Sequence, residues 1–296
     1  MSMEAWGMLC AGVAALVAGL VLVRPRFGAV AGAGKLVVLG PVFEAVALAM
    51  FSAEHFTAAH DLAPAVPRWL PWHLFWVYFF GTALLAAAIS LILWIGVRWS
   101  AALLTSFYLV IVLTLDVPGI PALPHDRFFW ILTVRETSFA GGVMVLAASV
   151  WARPLFERLG RCIVALVMIF YAVEHFLHPH HVPGVPLEKL IPAWWPAPAL
   201  LAYAIGIALL VCGIGLLFPR FARLASASCG LVLVLLTALF YVPIFISEMR
   251  TPLAVEGLNY IGDTLLFAAT VLLAGFGADL VSVRKPARLP VAAMHA

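Results

Sequence analysis

Hydrophobic residues run through this chain in long unbroken stretches, with polar positions gathered in short clusters between them. The stretches lack the period-two alternation of a membrane β-barrel strand. Their lengths match the roughly 20 apolar residues that a helix needs to cross a bilayer. Cutting at charged residues and Pro/Gly clusters predicts nine spanning helices, at about 5–23, 36–57, 73–97, 100–116, 134–152, 162–177, 197–218, 224–246 and 258–281. The fold class this predicts is all-α, a polytopic membrane protein.

Composition removes the alternatives. Of the 296 residues, 65% are hydrophobic and 10% charged, whereas a soluble domain is nearer 45–50% and about 25%. Seventeen basic and 14 acidic side chains are too few to cover a water-soluble body of this size. A soluble enzyme, a nucleic-acid binder and a disordered chain are excluded, and the lipid bilayer is the first partner. Cys10, Cys162, Cys212 and Cys229 lie in or beside apolar runs with no CxxC spacing. They are expected as small buried hydrophobes, and no metal site is expected of them.

Charge becomes informative once it is placed along the chain. Arg24, Arg26, Lys35, Arg98, Arg153, Arg158, Arg161, Arg220, Arg223, Arg284, Lys285 and Arg288 fall on one side of the predicted spans. Only Arg68, Arg127, Arg135, Lys189 and Arg250 fall on the other. The positive-inside bias predicts an inner-membrane protein with its N-terminus outside and its C-terminus cytoplasmic. The leading MSMEAW carries Glu4 and no base, so the first span is expected to be a retained anchor. In this orientation His55, His60, His73, His125, His175, His178, His180 and His181 gather on or near the outer side, and only His295 lies inside. The outer face is where chemistry is to be sought.

The chain also repeats itself. MFSAEHFTAAH (50–60) aligns with FYAVEHFLHPH (170–180), and PRWLP (67–71) aligns with PAWWP (192–196). Gly81 then faces Gly206, Arg98 faces Arg223, Val117-Pro118 faces Val242-Pro243, and Glu136-Thr137 faces Asp263-Thr264. Each copy holds four spans, so the two should share one orientation as parallel repeats. The expected organisation is an anchor helix and basic loop (1–34), a first four-helix repeat (35–152) and a second with a basic cytoplasmic tail (153–296). Pro118 and Pro243 are expected to end the third helix of each repeat.

A charge inside the bilayer costs a few kcal/mol and calls for a partner or a task. Glu44, Glu54, Glu136, Glu174, Asp263 and Asp279 fall within predicted spans. Glu54, Glu174, Glu136 and Asp263 share one depth in the outer leaflet, level with His55 and His175. Each repeat thus has a Glu-His pair on its first helix and a carboxylate on its fourth. That set suits proton exchange around a quinone or another small molecule. The bland alternative is that these groups only bond one another, Arg135, Tyr260 or the loops. Glu44 precedes His55 by eleven residues, about three turns, on the same helix face and roughly 16 Å away. Adjacent Glu54 and His55 point about 100° apart, which disfavours the Glu-x-x-His ligation of di-iron bundles. A haem held between His55 and His175 is a less favoured possibility. The HPHH run (178–181) and the Trp-Pro segments read as headgroup-level loop and aromatic-belt anchors.

Four-helix units with an xEHF end to the first helix, a following P-x-W-x-P and a glycine in the second helix resemble the DoxX-like family. The residues are Ala53-Glu54-His55-Phe56, Pro67, Trp69, Pro71 and Gly81, then Val173-Glu174-His175-Phe176, Pro192, Trp194, Pro196 and Gly206. The resemblance covers about 36–152 and 160–281, as a tandem duplication. It implies a small bacterial or archaeal inner-membrane protein, in some members linked to quinone-reducing thiosulfate oxidation or to oxidoreductase complexes. The expectation is a membrane subunit of a redox system with an outer-leaflet quinone pocket, partnered by another oxidoreductase subunit. Glu54, His55, Glu174 and His175 would exchange protons beside Glu136 and Asp263. The rival expectations are a proton-coupled transporter using Glu44 and a structural membrane partner.

Overall fold

The computed structural model describes residues 1–185 and 188–282. The basic tail residues Arg284, Lys285 and Arg288, and His295, lie outside the described residues. Nine long helices form among the described residues, and no strand does: α1 (Met3–Ala29), α2 (Gly34–Thr57), α3 (His73–Leu93), α4 (Val97–Gly119), α5 (Arg127–Trp151), α6 (Pro154–Leu177), α7 (Pro198–Leu217), α8 (Pro219–Glu248) and α9 (Ala254–Leu273). The first eight are long and apolar enough to cross a membrane. This is an all-α, multi-pass membrane protein in contact with lipid.

Several helices run further than the apolar stretches predict, for local reasons. α5 starts at Arg127 because the Asp126 carboxylate caps it, accepting the Phe129 N–H at 2.9 Å. α6, α7 and α8 open on Pro154, Pro198 and Pro219, where a missing N–H costs no helix bond. Charge in the first turns of α6 is matched internally, Glu157 pairing with Arg161 at 2.7 Å. α1 continues past Arg24 and Pro25, and the Arg26 guanidinium lies 3.3 Å from the centre of the Trp94 ring.

Pro243 does not end its helix, which runs on to Glu248, whereas α4 stops at Gly119, one residue after Pro118. Each follows a five-residue π-turn, at Val112–Asp116 and Thr237–Tyr241, after which the helix resumes. A proline lacks an N–H and its ring displaces the carbonyl one turn back. A wider turn re-registers the ladder ahead of it. The cysteines also divide: Cys212 and Cys229 are buried, while Cys10 and Cys162 are exposed on the apolar surface of α1 and α6.

The helices do not close into two self-contained bundles. α2 packs along α3 and α6 along α7, but α2 then packs on α9 and α6 on α5. The fourth helix of each half therefore lies against the first helix of the other, and α5 and α9 meet in the middle. Fifteen of the twenty residues of α9 are buried. It carries Glu256, Asn259 and Asp263 and is the one long helix outside the eight apolar spans. Enclosed by α2, α5 and α8, it needs no broad apolar face for lipid.

Glycines set the closest approaches. A side chain at Gly81 would place its first carbon 2.8 Å from the His55 Cβ, and one at Gly206 would stand 3.1 Å from the His175 Cβ. The second helix of each half therefore rests directly on the histidine of the first. α1 covers α2, with Gly12 facing Met50 and Gly19 facing Val42.

The α5–α9 contact offers a direct test of this packing. A Cβ at Gly142 would lie 2.8 Å from the Thr270 Cα. Gly142→Val is expected to destabilise the protein in detergent by roughly 1–3 kcal/mol or more, read as a fall in thermal midpoint. Gly28→Ala, with open space at that position, is expected to leave the midpoint unchanged.

Candidate functional site

The ionisable residues that the sequence singles out gather at one end of the bundle, called here the histidine end. Its centre is an ion pair between the two fourth helices: Arg135 of α5 donates to the Asp263 carboxylate of α9 at 2.7 Å. Glu136 stands on the other side of the same guanidinium at 3.7 Å. The Arg135 and Asp263 side chains are only 13% and 18% exposed, so the charges are removed from water and depend on one another.

The glutamates of the Glu-His pairs at the ends of α2 and α6 bond across the halves. Glu54 accepts from Asn259 Nδ2 of α9 at 3.0 Å. Glu174 accepts from Arg127 Nε of α5 at 2.8 Å and lies 3.7 Å from His178. The carboxylates that look equivalent in sequence thus fasten the first helix of one half to the fourth helix of the other. This end of the molecule is tied by polar bonds at each place where the halves cross.

The two histidines differ. His175 is fully buried, its Nδ1–H donating to the Tyr171 carbonyl at 2.6 Å and its Nε2 accepting the Gly184 N–H at 2.9 Å. With both nitrogens engaged it has no site for an axial haem bond, so a haem between His55 and His175 does not fit. His55 makes the matching Nδ1 bond, to the Phe51 carbonyl at 2.8 Å, but its Nε2 makes no hydrogen bond. With the proton on Nδ1, that nitrogen is an acceptor without a donor.

Further groups without protein partners lie at the same end of the bundle, on α4 and α5. Asp116, the last residue of the α4 π-turn, has a buried Oδ2 that receives no donor, and so has the Oε2 of Glu136. The two carboxyl groups are within hydrogen-bonding reach of each other. The Thr133 hydroxyl is also buried and unpartnered. It lies one turn before Glu136 and Thr137, on their face of α5. Buried polar groups are almost always satisfied, so this cluster has the makings of a binding site.

An apolar crevice lies between α3 and α4. α7 and α8 pack closely along their length, whereas α3 and α4 touch only briefly. The gap between α3 and α4 is about 420 Å³ and is walled by Phe79, Phe80, Leu104 and Phe107, reaching Ile111. Ile111 lies about one turn of the π-helical segment from Asp116.

Glu44 stands apart from the cluster. It is wholly buried on α2, and neither of its carboxylate oxygens has a partner. Tyr108 of α4 is within electrostatic reach of both Glu44 and Glu136, and its ring packs on Phe139 at 5.6 Å. The residues that the sequence alignment sets opposite Glu44 and Tyr108 are Val164 and Leu233, both buried and apolar. Asp279 is far from all of these, paired with Arg223 at 2.8 Å.

Of the loop histidines, His178 and His181 make an edge-on ring contact at 5.5 Å. Burial, and then the nearby Arg127 charge, lowers the His181 pKa from the ordinary histidine value and so favours the neutral ring.

Sequence reasoning passed over Asp116, Thr133, Asn259 and the central place of Arg135. Asp116 has a signal in hindsight. It precedes Val117-Pro118 as Tyr241 precedes Val242-Pro243, so the alignment already paired it with a buried position.

A DoxX family model matches residues 157–242, from the first turns of α6 into α8. The match takes in Glu174, His175 and Tyr241, and over that segment the chain is similar to the DoxX family. Neither curated proteins nor solved structures include a match to the chain.

Removing the shared cation should be costly. Arg135→Met leaves Asp263, Glu136 and Asp116 facing one another, and the expected loss of stability is roughly 3–5 kcal/mol. Asp263→Asn is expected to cost less, because Glu136 remains beside the guanidinium. Unfolding of the purified variants in detergent measures both. A neutral Arg135→Met would contradict the central role of this pair.

Proposed function

We propose that the protein is a DoxX-like membrane subunit of a redox system, built from two copies of one four-helix unit, and that its first half binds the head group of a quinone or a chemically similar small molecule. The histidine end would face the outer side of the inner membrane, as the distribution of basic residues favours. The observation that carries the reading is the adjoining Asp116 and Glu136 carboxyl groups and the Thr133 hydroxyl, each with a buried atom that receives no protein bond, at the end of the bundle where His55 Nε2 is also unbonded.

These residues fit such a head group. A hydroquinone hydroxyl finds acceptors in His55 Nε2 and in the carboxylates of Asp116 and Glu136, and the Thr133 hydroxyl can donate to a carbonyl. The aromatic crevice between α3 and α4 would hold an apolar tail. When bound, the quinone supplies two-electron redox chemistry linked to two protons.

The chain's own groups then have distinct tasks. His55 takes or returns a proton at Nε2 while its Nδ1–H bond to Phe51 holds the ring in place. Asp116 and Glu136 hold a proton between them, because two adjoining carboxylates do not both ionise. Arg135 and Asp263 keep the local charge in balance. Glu54 and Glu174 position α2 and α6 through Asn259 and Arg127. His175 is assigned to positioning, through its bond to Gly184. The electron acceptor would be another oxidoreductase subunit.

Glu44 favours a second reading. A wholly buried carboxyl with no partner is where a proton-coupled transporter would carry its proton. Proton uptake by liposomes that Glu44→Gln abolishes, while His55→Ala does not, would favour transport over quinone binding.

The first reading is tested by titrating the protein in nanodiscs with a short-chain quinone and its hydroquinone, followed by tryptophan quenching. Saturable binding is expected, weakened on the order of 10–100-fold in His55→Ala and Glu136→Gln, the loss of one charge-assisted hydrogen bond each. Wild-type binding in both variants, or no saturable binding, would overturn it.

A further inference from the structure

We infer that the second half contains a counterpart of this pocket that the chain has filled with its own backbone, residues 183–185, so that the protein holds one open site, in the first half. The inference rests on reading the halves as two copies of one unit, and it adds the number of sites and what closes the other.

The positions correspond one by one. Asp116 and Tyr241 each close a π-turn. His55 corresponds to His175, Thr137 to Thr264, and Glu136 to Asp263 by the sequence alignment. In the second half Tyr241, His175 and Thr264 are satisfied by one short stretch of chain, while Asp263 is held by Arg135. The Tyr241 hydroxyl donates to the Pro183 carbonyl, and His175 Nε2 accepts the Gly184 N–H. The Thr264 hydroxyl donates to the Val185 carbonyl at 3.3 Å.

Two further features mark the stretch as built to sit there. Gly184 holds φ at +103°, a conformation open to glycine and strained for other residues. A side chain on it would press on Leu236 and Thr264 at 3.3–3.5 Å. Val182 and Val185 are buried with it. The connection that supplies the stretch, 178–197, has 20 residues, whereas its first-half counterpart, 58–72, has 15. The longer loop provides the filling, and the shorter one leaves His55 half-buried with Nε2 unbonded.

The filled site also indicates what the open one takes. Where Tyr241 donates to a carbonyl, Asp116 can only accept when ionised. With the proton that the two carboxyls share on Glu136, a ligand meets Asp116 by presenting O–H or N–H at the place where the backbone presents C=O. His55 asks for a second donor, as His175 receives one from Gly184. This favours a hydroquinone over the corresponding quinone.

The closure itself can be tested without any ligand by diethylpyrocarbonate, which modifies an accessible neutral imidazole. Mass spectrometry of the intact protein in nanodiscs is expected to find His55 modified and His175 protected by at least tenfold in rate. Deleting residues 181–185, which shortens the loop to the first-half length, is expected to bring His175 to within about threefold of His55. Gly184→Pro, which removes the N–H that bonds Nε2, should move the rate the same way. Equal rates at His55 and His175 in the wild type would overturn the inference. So would continued protection of His175 in a folded deletion variant. With decyl-hydroquinone, the wild type is expected to bind one equivalent, and its di-O-methyl ether at least tenfold more weakly. Absence of hydroquinone binding beside a protected His175 would count against the quinone reading alone, since the labelling rates decide the closure by themselves.

Discussion

The structure depends on one cation shared between two acids at the meeting of α5 and α9. Arg135 lies largely buried in the histidine end, with Asp263 on one side and Glu136 on the other. An ion pair removed from water is worth little as net stability against an apolar substitute, but it is unforgiving of a missing partner. It therefore specifies geometry: the fourth helices must meet in this register or leave a buried charge bare. Once they meet, α2 lies against α9 and α6 against α5, and the bonds from Asn259 to Glu54 and from Arg127 to Glu174 follow.

Around that centre the two halves use similar parts to opposite ends. Both place a glycine of their second helix against a histidine, and both insert a π-turn before a proline. The second half is closed, with α7 and α8 packed together and the loop laid over His175. The first half is open, with α3 and α4 parted and Asp116, Thr133 and Glu136 short of partners. The difference extends to the far side of the first helices. α1 covers α2, while on α6 Leu166 is 62% exposed on a surface that suits lipid tails.

The helix count and the polar level were legible in the sequence, because a bilayer imposes length and apolarity on every crossing segment. The depth shared by Glu54, Glu136, Glu174, Asp263 and the two histidines followed from span ends alone. Which helices meet was not legible, since order along the chain does not say that α2 lies against α9. For the same reason Arg135 read as one possible partner of the intramembrane acids, without its place between Asp263 and Glu136. Asp116 was missed because it falls on the last residue of a predicted span. The difference between His55 and His175 rests on a loop whose path turns on the positive φ of Gly184, which hydropathy does not report. Pro118 does stand at the end of its helix, but Pro243 misled because a π-turn, an uncommon element, accommodates it inside one.

The claim that the first half is the binding half is tested most directly by photoaffinity labelling with an azido-quinone in native-like membranes, with the adducts mapped by mass spectrometry. Labels on α3 and α4, around Phe80 and Phe107, that free hydroquinone competes away are the expected result. Labels spread equally over α7 and α8, or labels that no competitor removes, would contradict it.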